Sequence, residues 1–494
     1  MNFKNKGKVL SLCLISISMI FTGCTNLKEE KTTKINILAT TDLHGEVTYN
    51  IAEKINEERK KDSNITLVDA GDFYDSDGLG AMNQYLSEAR DAYEKDEVIK
   101  KEVPIVRQMS EVKYDAVVLG NHEFVSSSKK NLDKIINEFN SENIEVLSAN
   151  TYNSNSSSYV KPYTIKTIET KDGEVKLGIL GLTIKEVGEG WDFDENGNKI
   201  KAKSRDLKDM VTYQDLYMND IIEDAKKWVK EIKEKENPDI LLAVVHSGEK
   251  PKKPKNPGNR IQELAKEVAG IDAIVAGHTH KEIEQHDYTN NKGENVIVTQ
   301  PGSHNSCISK ITFELEKDDN TWKVQDKYSK LTKLEEDKSL ENFGDLIINL
   351  HELNDKKSEV NLSSLSKFKW DRAYLFSNDT SVEKMYYIVG YKWKNLIDIE
   401  NDNRIKMVFM KDEKVSSYAC FNGKDFGIDL KVDKSKYQDG VLEILPKKND
   451  KFEIKKNSEG YDIQLVYKEQ PAVKFSFYCI LNESNALKIQ INGF

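Results

Sequence analysis

Side chains able to bind a metal ion or to move a proton occur in five short stretches of the sequence, each directly after an apolar, β-rich run. In chain order, the stretches contain Asp42 and His44; Asp72; Asn121, His122 and Glu123; His246; and His278 and His280. Any one of them would be equally compatible with an ordinary surface turn. Because loops at strand ends are where α/β proteins collect their chemistry, five such loops together indicate one shared site.

Oxygen and nitrogen donors make up this set. Seven of the side chains, all except His122 and Glu123, are typical ligands of divalent metal ions, and no cysteine lies among them. Seven donors suit two ions, and an aspartate between the ions can hold them at the spacing of about 3.5–4 Å used in two-metal hydrolysis. His122 is not needed as a ligand, so it is predicted to stabilise a transition state or to protonate a leaving oxygen.

The elements that position these residues alternate between strands and helices. Apolar runs that predict strands precede the five stretches, at residues 35–40, 65–70, 116–119, 240–245 and 271–276. Charged segments with helical spacing lie between them, for example at residues 47–61 and 213–236. This alternation predicts an α/β fold with parallel strands and helical crossovers.

Length and charge narrow the classes of protein. A chain of 494 residues is too long for one ordinary core, so at least two domains are expected. The formal net charge of −10 argues against a nucleic-acid duplex as a partner, because no broad basic face is implied. A small anionic substrate is compatible with this charge if bound metal ions outweigh it locally.

The N-terminus predicts export. Lys4, Lys6 and Lys8 precede an uncharged, mostly apolar run at residues 9–21, which is too short to span a bilayer. The following Gly23-Cys24 resembles the end of a bacterial lipoprotein signal, which implies a signal peptide at residues 1–24 and lipidation of Cys24. Residues 25–33 are then a tether, and the protein is extracytoplasmic and lipid-anchored to the bacterial cell membrane. The alternative is an ordinary export signal with an incidental cysteine.

Taken together, the five stretches resemble the signature of the calcineurin-like metallophosphoesterases. Within that group, Gly120-Asn121-His122-Glu123-Phe124 and the export signal resemble the secreted 5′-nucleotidase and 2′,3′-cyclic-nucleotide phosphodiesterase family. The resemblance covers about residues 34–330 and implies a four-layer αββα sandwich. It also implies two divalent ions, manganese, zinc or iron, one held by Asp42, His44, Asp72 and His280 and the other by Asp72, Asn121, His246 and His278.

The resemblance further implies that a metal-bridged hydroxide attacks phosphorus in line, with His122 and Glu123 as the catalytic residues. In the 5′-nucleotidase branch an aspartate typically follows the Phe and orients the catalytic histidine, but Val125 occupies that position here. Glu123 is therefore expected to orient His122 instead. His246-Ser247-Gly248 is more similar to the cyclic-phosphodiesterase branch, and the paired-Phe adenine clamp of the family's C-terminal domain is not recognisable.

The C-terminal third differs in composition from the rest. We predict a metallophosphoesterase domain at residues 34–332, a helical connector at 333–358 and a smaller accessory α+β domain at 359–494. Within the last, a helix is predicted at residues 382–389, and hairpins are predicted from 404–410 with 414–421 and from 463–468 with 473–481.

These observations predict a monomeric, metal-dependent phosphoric ester hydrolase acting on a small anionic phosphate ester, a nucleotide. One alternative keeps the chemistry but changes the substrate to non-nucleotide phosphates. The other is a non-catalytic binding lipoprotein on the same fold, although such a protein would have no reason to keep both sets of ligands.

Overall fold

The architecture of the chain is taken from a computed structural model. The structure describes residues 32–468, 479–480 and 488–489, apart from the segments 76–80, 95–96, 127, 189–190, 194–198, 202–205, 211–212, 214, 253–256, 320, 336–337, 354–357, 391–403, 424–426 and 459–460. The predicted signal peptide, Cys24 and most of the predicted tether lie outside the described residues.

Residues 32–333 form the larger part of the fold. Its strands are β1 (Thr32–Thr40), β2 (Thr66–Asp69), β3 (Ala116–Val118), β4 (Glu145–Leu147), β5 (Thr151–Asn153), β6 (Tyr163–Thr170), β7 (Gly173–Thr183), β8 (Trp191–Phe193), β9 (Lys199–Lys201), β10 (Leu216–Met218), β11 (Ile240–His246), β12 (Ala273–Ala276), β13 (Glu282–Thr289), β14 (Asn295–Pro301), β15 (Cys307–Asp318) and β16 (Thr321–Lys333). Its helices are α1 (Tyr49–Lys61), α2 (Ala81–Glu94), α3 (Pro104–Glu111), α4 (His122–Val125), α5 (Lys129–Ser141), α6 (Ile221–Lys235) and α7 (Ile261–Glu267).

Two six-stranded sheets dominate this part. The first has the order β16-β15-β1-β2-β3-β4, and the second has the order β13-β14-β12-β11-β7-β6. In the first sheet β1 to β4 run parallel, and in the second β7, β11, β12 and β14 do. The antiparallel strands lie at the edges, β15 and β16 on the first sheet and β6 and β13 on the second.

Three apolar cores fill the spaces between the layers. One lies between the two sheets and contains Ile37, Val68, Val118 and Val244. The second packs the first sheet against α1, α2, α3 and α5, and the third packs the second sheet against α6 and α7. Strand β11 is buried along its whole length because helices and the other sheet cover both of its faces. The predicted four-layer αββα sandwich is therefore confirmed.

The structure corrects several local predictions. The helix expected from residue 213 begins at Ile221, because the side chain of Asp220 accepts the amide protons of Ile222 and Glu223, and residues 216–218 pair with β5 as β10. Strands β6, β13 and β16 were not anticipated. Of these, β16 is an edge strand that contains four lysines and therefore lacks the apolar alternation by which strands are recognised.

The C-terminal third follows with its own core. Its elements are α8 (Ser339–His351), β17 (Glu359–Asn361), α9 (Leu362–Leu365), β18 (Arg372–Phe376), α10 (Val382–Val389), β19 (Arg404–Lys411), β20 (Lys414–Asn422), β21 (Ile428–Lys431), β22 (Val441–Ile444), β23 (Lys451–Ser458), β24 (Tyr461–Tyr467), β25 (Cys479–Ile480) and β26 (Lys488–Ile489). Two four-stranded sheets form here, ordered β17-β23-β24-β21 and β20-β19-β18-β22. The structure confirms this part as α+β.

Helix α8 lies where a connector was predicted, but it packs as part of this C-terminal core. Its residues Phe343, Leu346, Ile347 and Leu350 join the apolar cluster of the two smaller sheets. The helix at 382–389 and the first hairpin, β19 with β20, are confirmed. The second hairpin prediction is wrong in its pairing, because β24 lies between β23 and β21 and so has both of its sides occupied. Most of the other predicted strand, residues 473–478 and 481, lies outside the described residues. The limits of the domains stay a prediction. In the part of the chain that the structure covers, no helix is long and apolar enough to cross a membrane.

Candidate metal centre

The structure brings all seven predicted ligands together where the two large sheets meet. Asp42 and His44 follow β1, Asp72 follows β2 and Asn121 follows β3, all in the first sheet. His246 is the last residue of β11, and His278 and His280 follow β12, in the second sheet. The carboxyl ends of parallel strands from both sheets therefore form one cluster of side chains.

Two groups of donors can be distinguished within this cluster. In the first, Asp42, His44 and Asp72 each offer one ligand atom within 4.8 Å of the others, and His280 joins them because its Nε2 lies 3.1 Å from His44 Nε2 and 3.3 Å from Asp42 Oδ1. In the second, Asp72, His246 and His278 meet the same criterion, and Asn121 Oδ1 lies 3.0 Å from His246 Nε2 and 2.9 Å from His278 Nδ1. Asp72 belongs to both groups.

Five of the seven residues have a left-handed backbone. Their φ angles are 50° for Asp42, 50° for His44, 59° for Asp72, 69° for His278 and 55° for His280. Each such non-glycine residue costs of order 1–3 kcal/mol and persists only where the surroundings enforce it. Here the turns support one another, because Asp42 N–H donates to Gly71 O at 2.8 Å and His44 N–H donates to Asp72 O at 3.0 Å. Strain concentrated on the predicted ligands indicates that their positions serve a function.

The hydrogen bonds of His246 show that the cluster fits a cation. Its Nδ1 N–H donates a hydrogen bond to the carbonyl oxygen of Ala70 at 2.7 Å. In the neutral ring Nε2 then carries a lone pair, which can bind a metal ion. That nitrogen faces two oxygen acceptors, Asn121 Oδ1 at 3.0 Å and Asp72 Oδ2 at 3.1 Å. Lone pairs that converge in this way repel one another unless positive charge lies between them. A divalent ion supplies that charge, so the residues fit a metal ion.

Without a bound metal ion, a proton on His246 meets the same demand for positive charge. Burial opposes ionisation of Asp72, but the charge and hydrogen bond of His246 more than offset this and hold the pKa of Asp72 below its usual range. Burial likewise opposes the charged form of His246, yet the charge of Asp72 raises the pKa of His246. Among the protein groups alone, the site therefore favours anionic carboxylate next to positive charge.

His122 is oriented by Asp75, and the expectation that Glu123 orients it is wrong. His122 Nδ1 lies 2.5 Å from Asp75 Oδ2, while the other oxygen of the same carboxylate, Oδ1, lies 2.7 Å from His44 Nδ1. Burial opposes charge on His122, but the hydrogen bond with Asp75 and the charge of Asp72 raise its pKa to about 9. About a third of the His122 side chain is exposed, so it can reach a bound molecule.

Glu123 has a different position from the one predicted for a catalytic group. It is fully buried, and its carboxylate accepts the backbone N–H groups of four residues: Gly120 at 2.5 Å, Asp72 at 3.1 Å, Phe73 at 2.9 Å and Tyr74 at 2.8 Å. Burial and the charge of Asp72 raise the pKa of Glu123, and the backbone donors from Tyr74 and Gly120 oppose that rise. Glu123 thus holds the turn of Asp72 against the turn of Asn121.

Two residues at the site were missed by sequence reasoning. Asp75 lies only three residues after Asp72, and a search for a carboxylate partner of His122 within that acidic loop would have found it. His304 follows β14, and its ring stacks on that of His44 with the centroids 4.4 Å apart. The same strand-end rule that located the seven ligands applies to His304.

Comparison with known proteins agrees with this geometry. Residues 35–282, half of the chain, match the calcineurin-like phosphoesterases, and the protein belongs to that family. Among curated proteins, it is similar to the trifunctional nucleotide phosphoesterase protein YfkN of Bacillus subtilis, with 29% identity over 323 residues that cover 59% of this chain and 20% of that protein.

Two further relatives are a 2′,3′-cyclic-nucleotide 2′-phosphodiesterase/3′-nucleotidase of Yersinia enterocolitica and a snake venom 5′-nucleotidase of Crotalus adamanteus. The Yersinia protein is 25% identical over a stretch that covers 64% of this chain and 48% of its own length. The venom enzyme is 27% identical over a stretch that covers 46% of this chain and 31% of its own length. The chain thus spans between a fifth and a half of the length of these relatives. The crystal structure of YfkN covers 61% of this chain and 91% of its own, with 26% identity and a TM-score of 0.48. The predicted kinship with 5′-nucleotidases and cyclic-nucleotide phosphodiesterases is confirmed.

Proposed function

We propose that the protein is an extracytoplasmic phosphoesterase that hydrolyses phosphate esters of nucleotides with two divalent metal ions and is anchored to the membrane through a lipid on Cys24. The observation that carries the proposal is the convergence of seven oxygen and nitrogen donors from five strand ends, with Asp72 shared by both groups. The nucleotide substrate is supported by the names of the relatives, which act on 5′-nucleotides, 3′-nucleotides or 2′,3′-cyclic nucleotides.

One ion is assigned to Asp42, His44, Asp72 and His280, and the other to Asp72, Asn121, His246 and His278. Bound divalent ions would offset the charge of the phosphate oxygens and lower the pKa of water. The chain's own contribution is to present these donors in fixed positions. Fixed charges and dipoles stabilise developing charge without reorganising during the reaction, and in many enzymes this stabilisation contributes more to the rate than any other effect.

His122 completes the proposed mechanism by acting on the leaving group. Asp75 holds Nδ1, so Nε2 is the nitrogen directed toward the centre, 3.8 Å from Asp72 Oδ2. A proton on Nε2 passes to the leaving oxygen as its bond to phosphorus breaks, and Asp75 stabilises the orientation of the ring throughout. A positioned general acid of this kind contributes about 10²–10⁴-fold to a rate.

Hydrolysis by residues 25–494 with added manganese tests the proposal. A 5′-nucleotide, a 2′,3′-cyclic nucleotide and an aryl phosphodiester are offered side by side, with Asp72→Asn as the matched inactive variant. We expect turnover of at least one nucleotide that is lost in the variant. Hydrolysis of the aryl ester alone would indicate that the natural substrate is a phosphate ester other than a nucleotide. No hydrolysis of any of the three, with two ions bound, would favour a non-catalytic binding protein.

Membrane fractionation of the full chain tests the lipid anchor, with Cys24→Ser as the control.

A further inference from the structure

His304 occupies a position beside the metal centre that the assigned ligand sets do not use. One of its ring nitrogens lies within 4.8 Å of ligand nitrogens of both His44 and His280, and those two residues are already 3.1 Å apart at Nε2. The His304 ring stacks on His44 at an interplanar angle of 21° and meets the His280 ring edge-on at 5.5 Å. Imidazole nitrogens bind transition metals at about 2.0–2.1 Å, so a turn of the stacked His304 ring would bring its nitrogen into range of an ion held by His44 and His280.

The backbone holds His304 in place in the same way as the ligands. Its φ of 49° is left-handed, as are those of five of the seven proposed ligands, and the next residue, Asn305, has a φ of 62°. His304 N–H donates to the carbonyl oxygen of Asp42 at 2.8 Å, so the histidine is fastened directly to a proposed ligand.

Asn305 fixes the same turn from its other side. Its Nδ2 donates to Glu46 O at 2.9 Å, and its Oδ1 accepts from Thr48 N–H at 3.1 Å. Ser306 N–H donates to Ser303 O at 2.9 Å, so His304 and Asn305 are the central residues of a type I′ turn, which by itself requires left-handed backbone at both. What exceeds the needs of a connecting turn is its attachment to Asp42, Glu46 and Thr48.

We propose that His304 is an eighth donor of the metal centre, which binds, from the solvent-exposed side, the ion assigned to His44 and His280. The inference rests on the proposed function, because it requires that ion to be present. His304 and His280 are both exposed, whereas His44 is buried, so His304 lies on the solvent side of the cluster. The first ion would then be held by three imidazoles and two carboxylates.

Metal binding without any substrate tests this proposal. The full chain is stripped with a chelator and titrated with Co²⁺ alone, which reports affinity by calorimetry and ligand geometry by visible absorption. In His304→Ala we expect the affinity for one of the two ions to fall at least tenfold and the Co²⁺ spectrum to change. His286→Ala is the matched control, because His286 is an exposed histidine that bonds Glu249 and lies outside the clusters of possible metal ligands found among the described residues.

His44→Ala separates this proposal from the function on which it rests. If His44→Ala loses an ion while His304→Ala binds both with unchanged affinity and spectrum, the eighth donor is refuted and the metal centre stands. If His44→Ala also binds two ions as the wild type does, the proposed function fails. His304→Gln, which keeps a polar side chain at this exposed position, repeats the test if the alanine variant loses its circular dichroism signal, and unchanged Co²⁺ binding by it would equally refute the proposal.

Discussion

At the scale of single residues, Asp75 links metal binding to proton transfer. One of its carboxylate oxygens contacts a proposed ligand, His44, and the other contacts the proposed acid, His122. Both contacts fix the tautomer of a histidine, because a ring nitrogen that donates to Asp75 directs the opposite nitrogen into the site. Val125, the position at which the family resemblance led us to expect the orienting aspartate, is exposed and has no such role.

Replacing Asp75 by Asn should therefore reduce kcat by roughly 10²-fold, the lower end of the contribution of a positioned acid. The expected cause is a misoriented His122 that loses its carboxylate partner, so the alkaline limb of the pH–rate profile should move to lower pH. His122→Ala should reduce kcat by at least as much and keep both ions, as measured by elemental analysis. Asp439→Asn, at a highly exposed aspartate of the C-terminal part, is the control and should leave kcat, the pH–rate profile and the metal content unchanged. An Asp75→Asn enzyme with wild-type kcat would contradict the assignment.

The seven ligands could be predicted because residues able to bind a metal ion recur after five separate strands, although each stretch alone is compatible with an ordinary turn. Their division into two groups came from the family resemblance and not from the residues themselves, and the role of Asp75 was not predicted, because both depend on which turns meet across the two sheets. Glu123 is a residue for which the prediction from the sequence was wrong. It adjoins His122 in sequence, but α4 turns its side chain into the protein, where backbone donors surround it.

At the scale of elements, the turns after β2 and β3 are held together by that one carboxylate. Glu123→Gln should reduce the free energy of unfolding by about 2–4 kcal/mol, because its NH₂ group must face two buried backbone donors that each need an acceptor. Metal content should fall with it, since Asp72 and Asn121 lie in these turns. Urea denaturation measures the first effect, and Glu57→Gln on the exposed side of α1 is the control. Equal urea midpoints for Glu123→Gln and the wild type would show that the Glu123 carboxylate is not needed to hold the two turns together.

Helix α1 is fastened to β15 through a buried carboxylate. Glu58 on α1 accepts from Lys310 at 2.8 Å and from Lys61 at 2.7 Å. Burial acts to raise its pKa, but Lys310, Lys61 and Lys54 more than offset this and lower it from 4.5 to about 2. A lowered pKa stabilises the fold above pH 4.5, and this contribution disappears as the pH falls from 4.5 to about 2.

Glu58→Gln removes this titration. Its melting temperature should therefore fall less steeply than that of the wild type when the pH is lowered from 4.5 toward 2, as followed by circular dichroism. Parallel curves for the two proteins would mean that the ion pairs do not couple to folding.

Most elements of the larger sheets could be read from the sequence because their strands are buried on both faces and are continuously apolar. Strand β16 and the start of α6 could not. The first is a polar edge strand, and the second depends on the pairing of β10 with β5, a contact between segments some 60 residues apart.

At the scale of the whole molecule, we expect a domain boundary before α8, and it determines which truncated chains should fold. A chain ending at residue 338 should remain soluble, bind two ions and be monodisperse on gel filtration. A chain ending at residue 358 keeps α8 without its partners and exposes Phe343, Leu346, Ile347 and Leu350, so it should self-associate. The two truncations differ by only this helix and its short tail, which makes them matched controls. Equal solubility would show that α8 does not depend on the C-terminal sheets.

The meeting of donors from both large sheets also has a thermodynamic consequence. An ion that binds the folded chain and not the unfolded one stabilises it by about 2.7 kcal/mol at a hundred times its dissociation constant, through linkage. Because these donors follow strands of two different sheets, each ion of the proposed centre would act as a cross-link between the layers of the sandwich. A chelator should therefore lower the melting temperature as well as stop catalysis, so that metal supply would govern both the activity and the lifetime of the protein.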